Sequence, residues 1–384
     1  MIYAQWLHSI EGISAAVCGN MLGRGFTAEE IYRMREEELI AAGLFNPKQI
    51  SALLKAKEKD PKEEWEKLEE AGIRFYSREK GPYPKKLRRI REAPYGLYVI
   101  GSLPDETRYT AAVVGARECT TYGAAVSKKI GMELARSGVN IVSGMARGAD
   151  GCAQRGALEG GGKTYAVLGC GIDQIYPTQN QDLYRGIPES GGVISEYPPG
   201  VIPYPIYFPQ RNRIISGLSD CVIVAEARRR SGSLITAELA IEQGKDVYAV
   251  PGPIDSALSY GCHHLIHQGA GIYYSTAEFL HDKSLDFSGF APPEAVRSLE
   301  MSQRIVYSAI VLLPKSLEEI KKETGMSSRI LLQILLDLQL KGLIAEIGKG
   351  RYIRLFVEDP QENEVEDHGQ ESGYRGVTGE SKDD

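Results

Sequence analysis

The sequence has little of what metal or disulfide chemistry requires, and it has no long apolar run. Its 384 residues include six cysteines and six histidines. No two cysteines form a C-x-x-C pair, which argues against structural zinc and against a disulfide framework. No apolar stretch approaches the roughly 18 residues of a membrane span, and the N-terminus lacks the regions of a signal peptide. We therefore expect a cytoplasmic protein without membrane contact, whose cysteines are small buried residues.

An excess of basic charge is also missing. The net charge is −6 at pH 7, so the protein is not expected to coat itself in nucleic acid. Residues 358–384 carry ten acidic and two basic side chains and few large apolar ones, which predicts a disordered acidic tail. This tail contributes −8 and leaves +2 for the rest of the chain. A polyanion would therefore have to bind a local patch on a near-neutral body.

The motifs of several enzyme classes are absent or incomplete. There is no Walker A lysine pattern, which argues against ATP use. Gly169-x-Gly171 follows an apolar run, but Gln174 stands where the dinucleotide fingerprint needs a glycine. His263, His264 and His267 share one predicted helix without a matching ligand cluster elsewhere, so helix packing or capping is favoured over a metal site. We expect no metal, no cofactor and no catalytic activity.

From about residue 97, short apolar runs alternate with helical patterns. The predicted strands are Ala111–Gly115, Val139–Ser143, Thr164–Gly169, Gly192–Ser195, Cys221–Ala225, Asp246–Val250 and Gly271–Tyr274. The predicted helices are Tyr122–Arg136, Ala149–Glu159, Asn180–Ile187, Asn212–Leu218, Ser233–Gln243 and Cys262–Gln268. This alternation indicates an α/β domain with a doubly wound, mostly parallel sheet over residues 66–285.

Two smaller modules are predicted beside this domain. Residues 1–65 have helical spacing throughout, as in helix-hairpin-helix units, but no basic residues cluster at the turns. A linker is expected over 286–300, and residues 301–357 have the three helices and β-hairpin of a winged helix. The third of these helices offers only Arg329 as a base for a DNA groove. For both modules, DNA binding and protein docking remain open alternatives.

Glycine-rich loops follow the predicted strands, at the edge where such sheets bind ligands. They are 115–117, 143–148, 169–173, 195–200, 226–233 and 251–253. Glycine lets backbone N–H groups approach a ligand, and a helix N-terminus adds unpaired donors. Arg117, Arg147 and Arg211 would add charge with bidentate geometry. Ser231-Gly232-Ser233 suits either a phosphate cradle or a simple helix N-cap.

The stretch Phe208–Ser219 brings two arginines to the mouth of a buried strand. Arg211 and Arg213 are two residues apart, so in a helix they project to nearly opposite sides, whereas in an extended chain they point the same way. We favour Arg211 as the ligand contact. Arg213 is then expected to pair with a buried carboxylate such as Glu226 or Asp220.

Seven motifs occur in a fixed order between residues 83 and 271. They are Gly115-Ala116-Arg117-x-x-Thr120-x-Tyr122-Gly123, Ser143-Gly144-x-Ala146-x-Gly148-x-Asp150, Ala166-Val167-Leu168-Gly169-x-Gly171-x-Asp173-x-x-Tyr176-Pro177-x-x-Asn180, Ser195-Glu196-Tyr197-Pro198-Pro199-Gly200, Phe208-Pro209-x-Arg211-Asn212-Arg213, Glu226-Ala227-x-x-x-Ser231-Gly232-Ser233 and Ala249-Val250-Pro251-Gly252. Together they strongly resemble the DNA-processing protein A family (DprA, also called Smf). So many motifs in one order argue against a chance match.

The resemblance implies an extended Rossmann-like domain that binds single-stranded DNA, with an N-terminal helical domain of the SAM or helix-hairpin-helix type and a C-terminal winged helix. It also implies protection of incoming DNA in natural transformation, loading of the RecA recombinase and a homodimer through the Rossmann domain. The DNA contacts expected from the loops and motifs are Gly115, Arg117, Thr120, Ser143, Gly144, Arg147, Phe208, Arg211, Asn212, Arg213, Ser231, Gly232 and Ser233. Among them, Phe208 is either a stacking platform for a base or a core aromatic.

The sequence departs from the family pattern at several positions near these motifs. Ala116 replaces a common Ser, Ala149 an expected Ile and Gln154 a frequent His, while Thr178 and Pro205 stand where some members have pocket lysines. An alternative function is a nucleotide N-glycosidase on a related Rossmann-like fold. Its glycine-rich helix start is matched only in part by 231–238, which lacks the Pro-Gly-Gly opening.

Overall fold

A computed structural model describes residues 1–285, 298–310, 314–348 and 350–355. By its internal contacts the chain divides into two units, Met1–Ala291 and Pro292–Asp384. The predicted tail, 358–384, and most of the predicted linker, 286–300, lie outside the described residues. Across the described residues, no helix has the combination of length and apolar character that crossing a membrane requires.

Helices at the start of the chain pack onto the sheet. They are α1 (Ile2–Ser9), α2 (Ala15–Gly23), α3 (Ala28–Arg33), α4 (Glu36–Ala42), α5 (Pro47–Ala56) and α6 (Pro61–Glu70). A capping box between Thr27 and Glu30 fixes the start of α3. Trp6 and Leu7 of α1 are buried in one core with Tyr98 of the sheet. The helices predicted as a domain over 1–65 therefore share a core with the sheet, and that boundary stays a prediction.

The main sheet, within residues 1–285, has nine strands. They are β1 (Arg74–Ser77), β2 (Gly96–Gly101), β3 (Thr110–Val114), β4 (Asn140–Ser143), β5 (Thr164–Gly171), β6 (Gly192–Tyr197), β7 (Cys221–Val224), β8 (Asp246–Ala249) and β9 (Gly271–Ile272). The order is β1-β2-β6-β5-β4-β3-β7-β8-β9. The seven strands from β6 to β9 in this order are parallel, and β1 and β2 form an antiparallel edge. The predicted mostly parallel, doubly wound sheet is confirmed, and its strand order reverses between β3 and β7.

Helices connect these strands and set the loops that follow them. They are α7 (Lys85–Arg88), α8 (Thr121–Arg136), α9 (Ala149–Glu159), α10 (Gln181–Ser190), α11 (Tyr207–Leu218), α12 (Gly232–Glu242), α13 (Tyr260–His267) and α14 (Thr276–Asp282). Glycines allow α8 and α9 to pack closely, because a Cβ on Gly131 would lie 1.9 Å from the carbonyl oxygen of Ala153. Helix α11 begins at Tyr207, five residues before its predicted start. Phe208, Arg211 and Arg213 are therefore all helical.

The second unit, described by itself, contains α15 (Met301–Ala309), α16 (Leu317–Thr324) and α17 (Ser328–Leu340). A three-stranded antiparallel sheet in its described part has the order β10-β12-β11, from β10 (Lys315–Ser316), β11 (Ile344–Glu346) and β12 (Arg351–Arg354). Helix α17 buries Leu331, Leu335 and Leu338 in the core of this unit. Its other face exposes Leu332 and Leu336, which gives this helix a largely apolar outer surface near Arg329.

Candidate nucleic-acid interface

A pocket of about 410 Å³ lies at the carboxyl ends of β3 and β7. Its walls come from the loops after β3, β4 and β7 and from the start of α11. The strand order reverses between β3 and β7, and ligands bind at such switch points because the loops diverge there to opposite faces of the sheet. The position agrees with the edge at which the sequence predicted an anion site.

Exposed arginines surround this pocket. Of the side chains that line it, Arg117, Arg147, Arg228 and Arg230 are exposed. Within residues 1–285, none of these four forms an ion pair with a carboxylate. The acids in the lining are Asp150, which is buried, and Glu118. The pocket therefore presents a net positive field to solvent, although the chain as a whole is acidic.

Arg211 lies beneath the pocket floor, with 4% of its surface exposed. Its Nη1 donates to the carbonyl oxygen of Gly144 at 2.8 Å and to that of Val167. A side chain on Gly144 is excluded, because its Cβ would lie 2.4 Å from Nη2 of Arg211. The guanidinium thus fastens α11 to the end of β4 and to the middle of β5. A direct phosphate contact by Arg211 stays a prediction.

The carboxyl group of Asp150 completes this buried frame. It accepts hydrogen bonds from the backbone N–H of Gly144 at 3.1 Å and of Gly115 at 3.4 Å. Burial raises the pKa of Asp150 above its ordinary value, and the nearby Arg211 charge opposes that shift. Burial also lowers the pKa of Arg211, to about 10, while Asp150 opposes the change. The two groups hold the loops after β3 and β4 in register with each other.

Arg213 projects away from the pocket and pairs with Glu196. Its Nη2 lies 2.7 Å and 2.8 Å from the two carboxylate oxygens, and both side chains are largely buried. The predicted partners, Glu226 and Asp220, are wrong. Asp220 pairs instead with Lys86 at 2.6 Å, and the end of β6 brings Glu196 beside α11. The predicted separation of Arg211 and Arg213 on a helix is present.

Glu226 is hydrogen-bonded to the loop after β3. Its carboxylate accepts from the backbone N–H of Thr120 at 2.8 Å and from the Thr120 hydroxyl at 2.6 Å. The same hydroxyl caps α8 by accepting from the N–H of Gly123. A Cβ on Gly123 would lie 2.2 Å from the Glu226 carboxylate, so glycine is required there. Thr120 therefore positions the loop that carries Arg117.

An aromatic and cationic stack stands at the pocket rim. The guanidinium of Arg117 lies 5.2 Å from the ring centroid of Phe208. On Phe208 the ring of Tyr176 follows at 5.3 Å, tilted by 35°. Gly169 makes room for this arrangement, because a Cβ there would lie 2.8 Å from the Phe208 ring. The packing of Phe208 therefore accounts for the glycine at position 169, and a dinucleotide site is not required to explain it.

The remaining predicted residues divide between the pocket wall and its support. Ser231, Gly232 and Ser233 line the pocket at the start of α12. Asn212 donates to the carbonyl oxygen of Gly232 at 3.2 Å, which ties this turn to α11. Ser143 is fully buried, and its hydroxyl donates to the carbonyl oxygen of Val113 at 2.6 Å. Of the thirteen predicted contacts, those that do not line the pocket are Thr120, Ser143, Gly144 and Arg213.

Two pocket arginines were not predicted from the sequence. Arg228 and Arg230 line the pocket from the loop after β7, whereas Arg229 lies over the ring of Tyr260 at 5.6 Å. The signal was the basic triplet between a buried strand and a Ser-Gly-Ser helix start. Arg228 and Arg230 therefore share the pocket, and Arg229 between them does not line it.

Other candidate positions have their groups engaged within the protein. A ring nitrogen of His263 lies 3.0 Å from the carbonyl oxygen of Gly252, and the His264 ring stacks on Tyr260. In the described part of the chain, no group of three or more His, Cys, Asp or Glu side chains is placed to bind a metal. A depression of about 890 Å³ is lined by Lys86 and Lys245 among others. Lys86 pairs with Asp220, and Lys245 donates to the carbonyl oxygen of Gly217 near the end of α11.

Residues 74–284 match the family model described as DNA recombination-mediator protein A. The chain belongs to this family. The match spans the sheet and the pocket loops, in agreement with the order of motifs in the sequence.

Curated relatives and solved structures extend this match. The chain is 48% identical over 198 residues to DNA processing protein DprA of Streptococcus pneumoniae (strain ATCC BAA-255 / R6), covering 52% of this chain and 70% of that protein. It is 37% identical over 283 residues to Protein Smf of Escherichia coli (strain K12), covering 71% and 75%. The crystal structure of the S. pneumoniae protein superposes with a TM-score of 0.64 at 36% identity, covering 75% of this chain and 99% of the other.

A second solved structure is that of a relative known for binding single-stranded DNA. DNA processing protein A from Helicobacter pylori, reported for its single-stranded DNA binding mode, matches with a TM-score of 0.50 and 30% identity. It covers 56% of this chain and 98% of that chain. Family membership therefore rests on sequence and on structure together.

Proposed function

We propose that this chain is a single-stranded DNA-binding recombination mediator of the DprA type, and that the arginine-lined pocket is its DNA site. The observation that carries the proposal is the set of four exposed arginines without ion-pair partners in the part of the chain that the structure describes, next to the Arg117–Phe208 stack. The H. pylori relative, described as binding single-stranded DNA, supports the same ligand.

The two kinds of group would contact different parts of one strand. The exposed arginines would bind phosphates without first breaking an ion pair with a carboxylate. Bases would stack on Phe208 and Tyr176, whose rings already form a stepped platform. A base can reach such a platform only when it is unpaired, so single strands are favoured over duplex.

The wider role follows from family membership and remains part of the proposal. We propose that the protein protects incoming single strands, helps to load the RecA recombinase during natural transformation and recombination, and works in the cytoplasm as a homodimer through its Rossmann-like domain. The helices before the sheet would be a SAM or helix-hairpin-helix-like domain, and the C-terminal unit a winged helix. Its three helices and three-stranded sheet support that reading.

We further propose that the protein acts without catalysis. Asp150 in the pocket lining is buried and occupied by two backbone N–H groups, and Glu118 is exposed to solvent. The alternative nucleotide N-glycosidase predicts free base after incubation with nucleoside monophosphates. Detection of free base by chromatography, lost on Asp150→Asn, would replace the binding proposal with that enzyme.

The decisive binding test uses the arginine triplet as its own control. Fluorescence anisotropy with a labelled oligothymidylate would be measured over a salt series for wild type, Arg228→Ala/Arg230→Ala and Arg229→Ala. Each lost phosphate contact lowers the salt slope by about 0.7 for single strands. We expect the double variant to bind more weakly with a slope lower by about 1.4.

Arg229→Ala is expected to keep the wild-type affinity and slope, because that guanidinium lies over Tyr260 outside the pocket. Equal losses for the control and the double variant would show that the triplet acts only through general charge. Unchanged binding in the double variant would refute the pocket as the DNA site.

A further inference from the structure

A cluster of three tyrosines lies beside the pocket rim and is not part of the pocket lining. The rings of Tyr197, at the end of β6, and Tyr207, at the start of α11, have centroids 4.4 Å apart and are tilted by 35°. The ring of Tyr204 meets that of Tyr207 edge-on, at 6.1 Å and 61°. Tyr204 is 60% exposed. The three rings therefore form one surface, and its outermost ring is largely in solvent.

This tyrosine cluster continues the aromatic rim of the pocket. Tyr207 and Phe208 are successive residues at the start of α11. Phe208 packs against Gly169 of β5, and Gly171, two residues further along β5, pairs with Tyr197 of β6. The two sets of aromatic rings therefore stand on neighbouring segments at the same edge of the sheet.

The segment that carries the cluster is apolar and uncharged. Residues 197–210 include five prolines and no acidic or basic side chain. Ile202 and Ile206 in this segment are 69% and 56% exposed. The N–H of Gly171 donates to the carbonyl oxygen of Val201 at 2.7 Å, which ties the segment to the end of β5. Since proline fixes φ, the exposed rings are held in position before any ligand binds, which lowers the entropic cost of binding.

We propose that the tyrosine cluster is a second base-stacking subsite for the single strand that occupies the arginine-lined pocket, an inference that rests on the proposed function. The pocket, of about 410 Å³, has the volume of a site for one small ligand, so a strand of several nucleotides must continue across the adjoining surface. On the side of Phe208, that surface is the tyrosine cluster. An unpaired base stacks on an aromatic face whatever its identity. We favour a strand over a protein partner as the occupant, because the cluster is continuous with the rim at which bases would already stack.

The pocket and the tyrosine cluster should differ in their response to salt. A phosphate bound by an arginine releases counterions, so loss of that arginine lowers the salt slope of binding. Residues 197–210 carry no charge, and a base stacked on an uncharged ring neutralises no phosphate. Removal of a ring from the cluster should therefore weaken binding by the same factor at every salt concentration.

The first test measures the fluorescence anisotropy of a labelled oligothymidylate over a salt series for full-length wild type, Tyr204→Leu and Tyr204→Phe. We expect Tyr204→Leu to weaken binding about tenfold without a change in the salt slope, because one stacked base is lost. Tyr204→Phe keeps the ring and should keep the wild-type affinity. Since Tyr204 is mostly exposed, urea denaturation should give wild-type stability for both variants.

A tryptophan at the same position reports on stacking directly. The fluorescence of Tyr204→Trp, taken as the difference from wild type because Trp6 and Trp65 also emit, should be quenched when oligothymidylate is added. Tyr274→Trp is the matched control. Tyr274 is 71% exposed and follows β9, three strands from β3 in the sheet, so the fluorescence of that variant should not change.

The outcomes separate this subsite from the pocket. Wild-type affinity in Tyr204→Leu, or unchanged fluorescence of Tyr204→Trp, would overturn the inference, and a lower salt slope in Arg228→Ala/Arg230→Ala would then still support the pocket. A lower salt slope in Tyr204→Leu would also overturn it, because the ring would then act through a charged contact. A wild-type protein that binds no oligothymidylate would refute the proposed function and this subsite with it.

Discussion

Removal of the Arg211 guanidinium is expected to destabilise the protein strongly. The side chain is 4% exposed and donates to the carbonyls of Gly144 and Val167. Its positive charge also interacts with the buried carboxyl of Asp150. Arg211→Met keeps much of the volume but leaves both carbonyls without this donor and the carboxylate uncompensated. Leaving a buried acceptor without its donor costs about 1–3 kcal/mol, and two carbonyls lose theirs here. We expect the free energy of unfolding at pH 7 to fall by about 3 kcal/mol or more.

A second substitution separates the charge from the packing. Asp150→Asn removes the negative charge and keeps an oxygen that can accept from the N–H of Gly144. In Arg211→Met/Asp150→Asn no uncompensated charge remains, so about half of the lost stability should return. The coupling between the two sites, obtained from the double-mutant cycle, should therefore exceed about 1 kcal/mol.

The pH dependence of the same variants has a definite sign. Burial raises the folded-state pKa of Asp150, and Arg211 opposes this shift. A raised folded pKa gives stability that is present below the unfolded pKa and is lost as pH rises through the folded pKa. Both proteins lose stability alike until the pH passes the folded-state pKa of Asp150 in wild type. Because that pKa is higher still without Arg211, Arg211→Met should keep losing stability relative to wild type above it, by up to about 1.4 kcal/mol per pH unit.

Urea denaturation at several pH values measures these quantities. The fluorescence of Trp6 and Trp65 reports on the unit that contains the pocket, because Trp6 is buried in a core shared with the sheet and Trp65 packs against that core. Arg211→Met within about 1 kcal/mol of wild type at pH 7 would refute the structural role of this arginine. So would a double variant no more stable than Arg211→Met.

Two further predictions concern the loop after β3 and the aromatic rim. Gly123→Ala should lower the free energy of unfolding, measured with urea, by about 1–3 kcal/mol, because its Cβ would lie 2.2 Å from the Glu226 carboxylate. The control Gly23→Ala, whose Cβ would have nothing within 4 Å, should not lower it. Equal stabilities of the two variants would contradict the contact. Phe208→Leu fills the space against Gly169 but has no aromatic face, so oligothymidylate affinity should fall about tenfold. Phe208→Tyr keeps an aromatic ring and should keep the affinity. A loss of affinity in both variants would instead indicate that Phe208 serves packing.

The parallel strands were predictable because their burial leaves a strong pattern. All eight residues of β5 are buried, and such a strand is a continuous apolar run. The antiparallel edge was missed because β1 is four residues long and alternates exposed with buried positions beside a charged helix. The predicted start of α11 lies five residues too late, although Pro209 falls in the first turn of the helix, where proline is tolerated.

The pocket itself was predictable from loop position, but the partners of its charges were not. Helical spacing correctly separated Arg211 from Arg213, yet it could not choose among carboxylates far apart in sequence. The pairing with Glu196 depends on β6 lying beside β5, the strand against which α11 packs. In the same way, nothing in the local sequence around Arg211 shows that its guanidinium meets the carbonyls of Gly144 and Val167.

The residues in and around the pocket therefore divide by exposure into two classes with different roles. Arg211, Asp150 and Glu226 are buried, and each holds one loop to another segment through backbone groups. Arg228 and Arg230 are exposed on those loops, and neither is bound to a carboxylate in the part of the chain that the structure describes. A change in the first class should alter the free energy of unfolding, because a buried charge or hydrogen bond is lost. A change in the second should alter the salt slope of DNA binding and leave stability near wild type, because exposed charges contribute little to folding. A variant of Arg228 or Arg230 that lowered stability as much as Arg211→Met would show that this division by exposure does not describe the site.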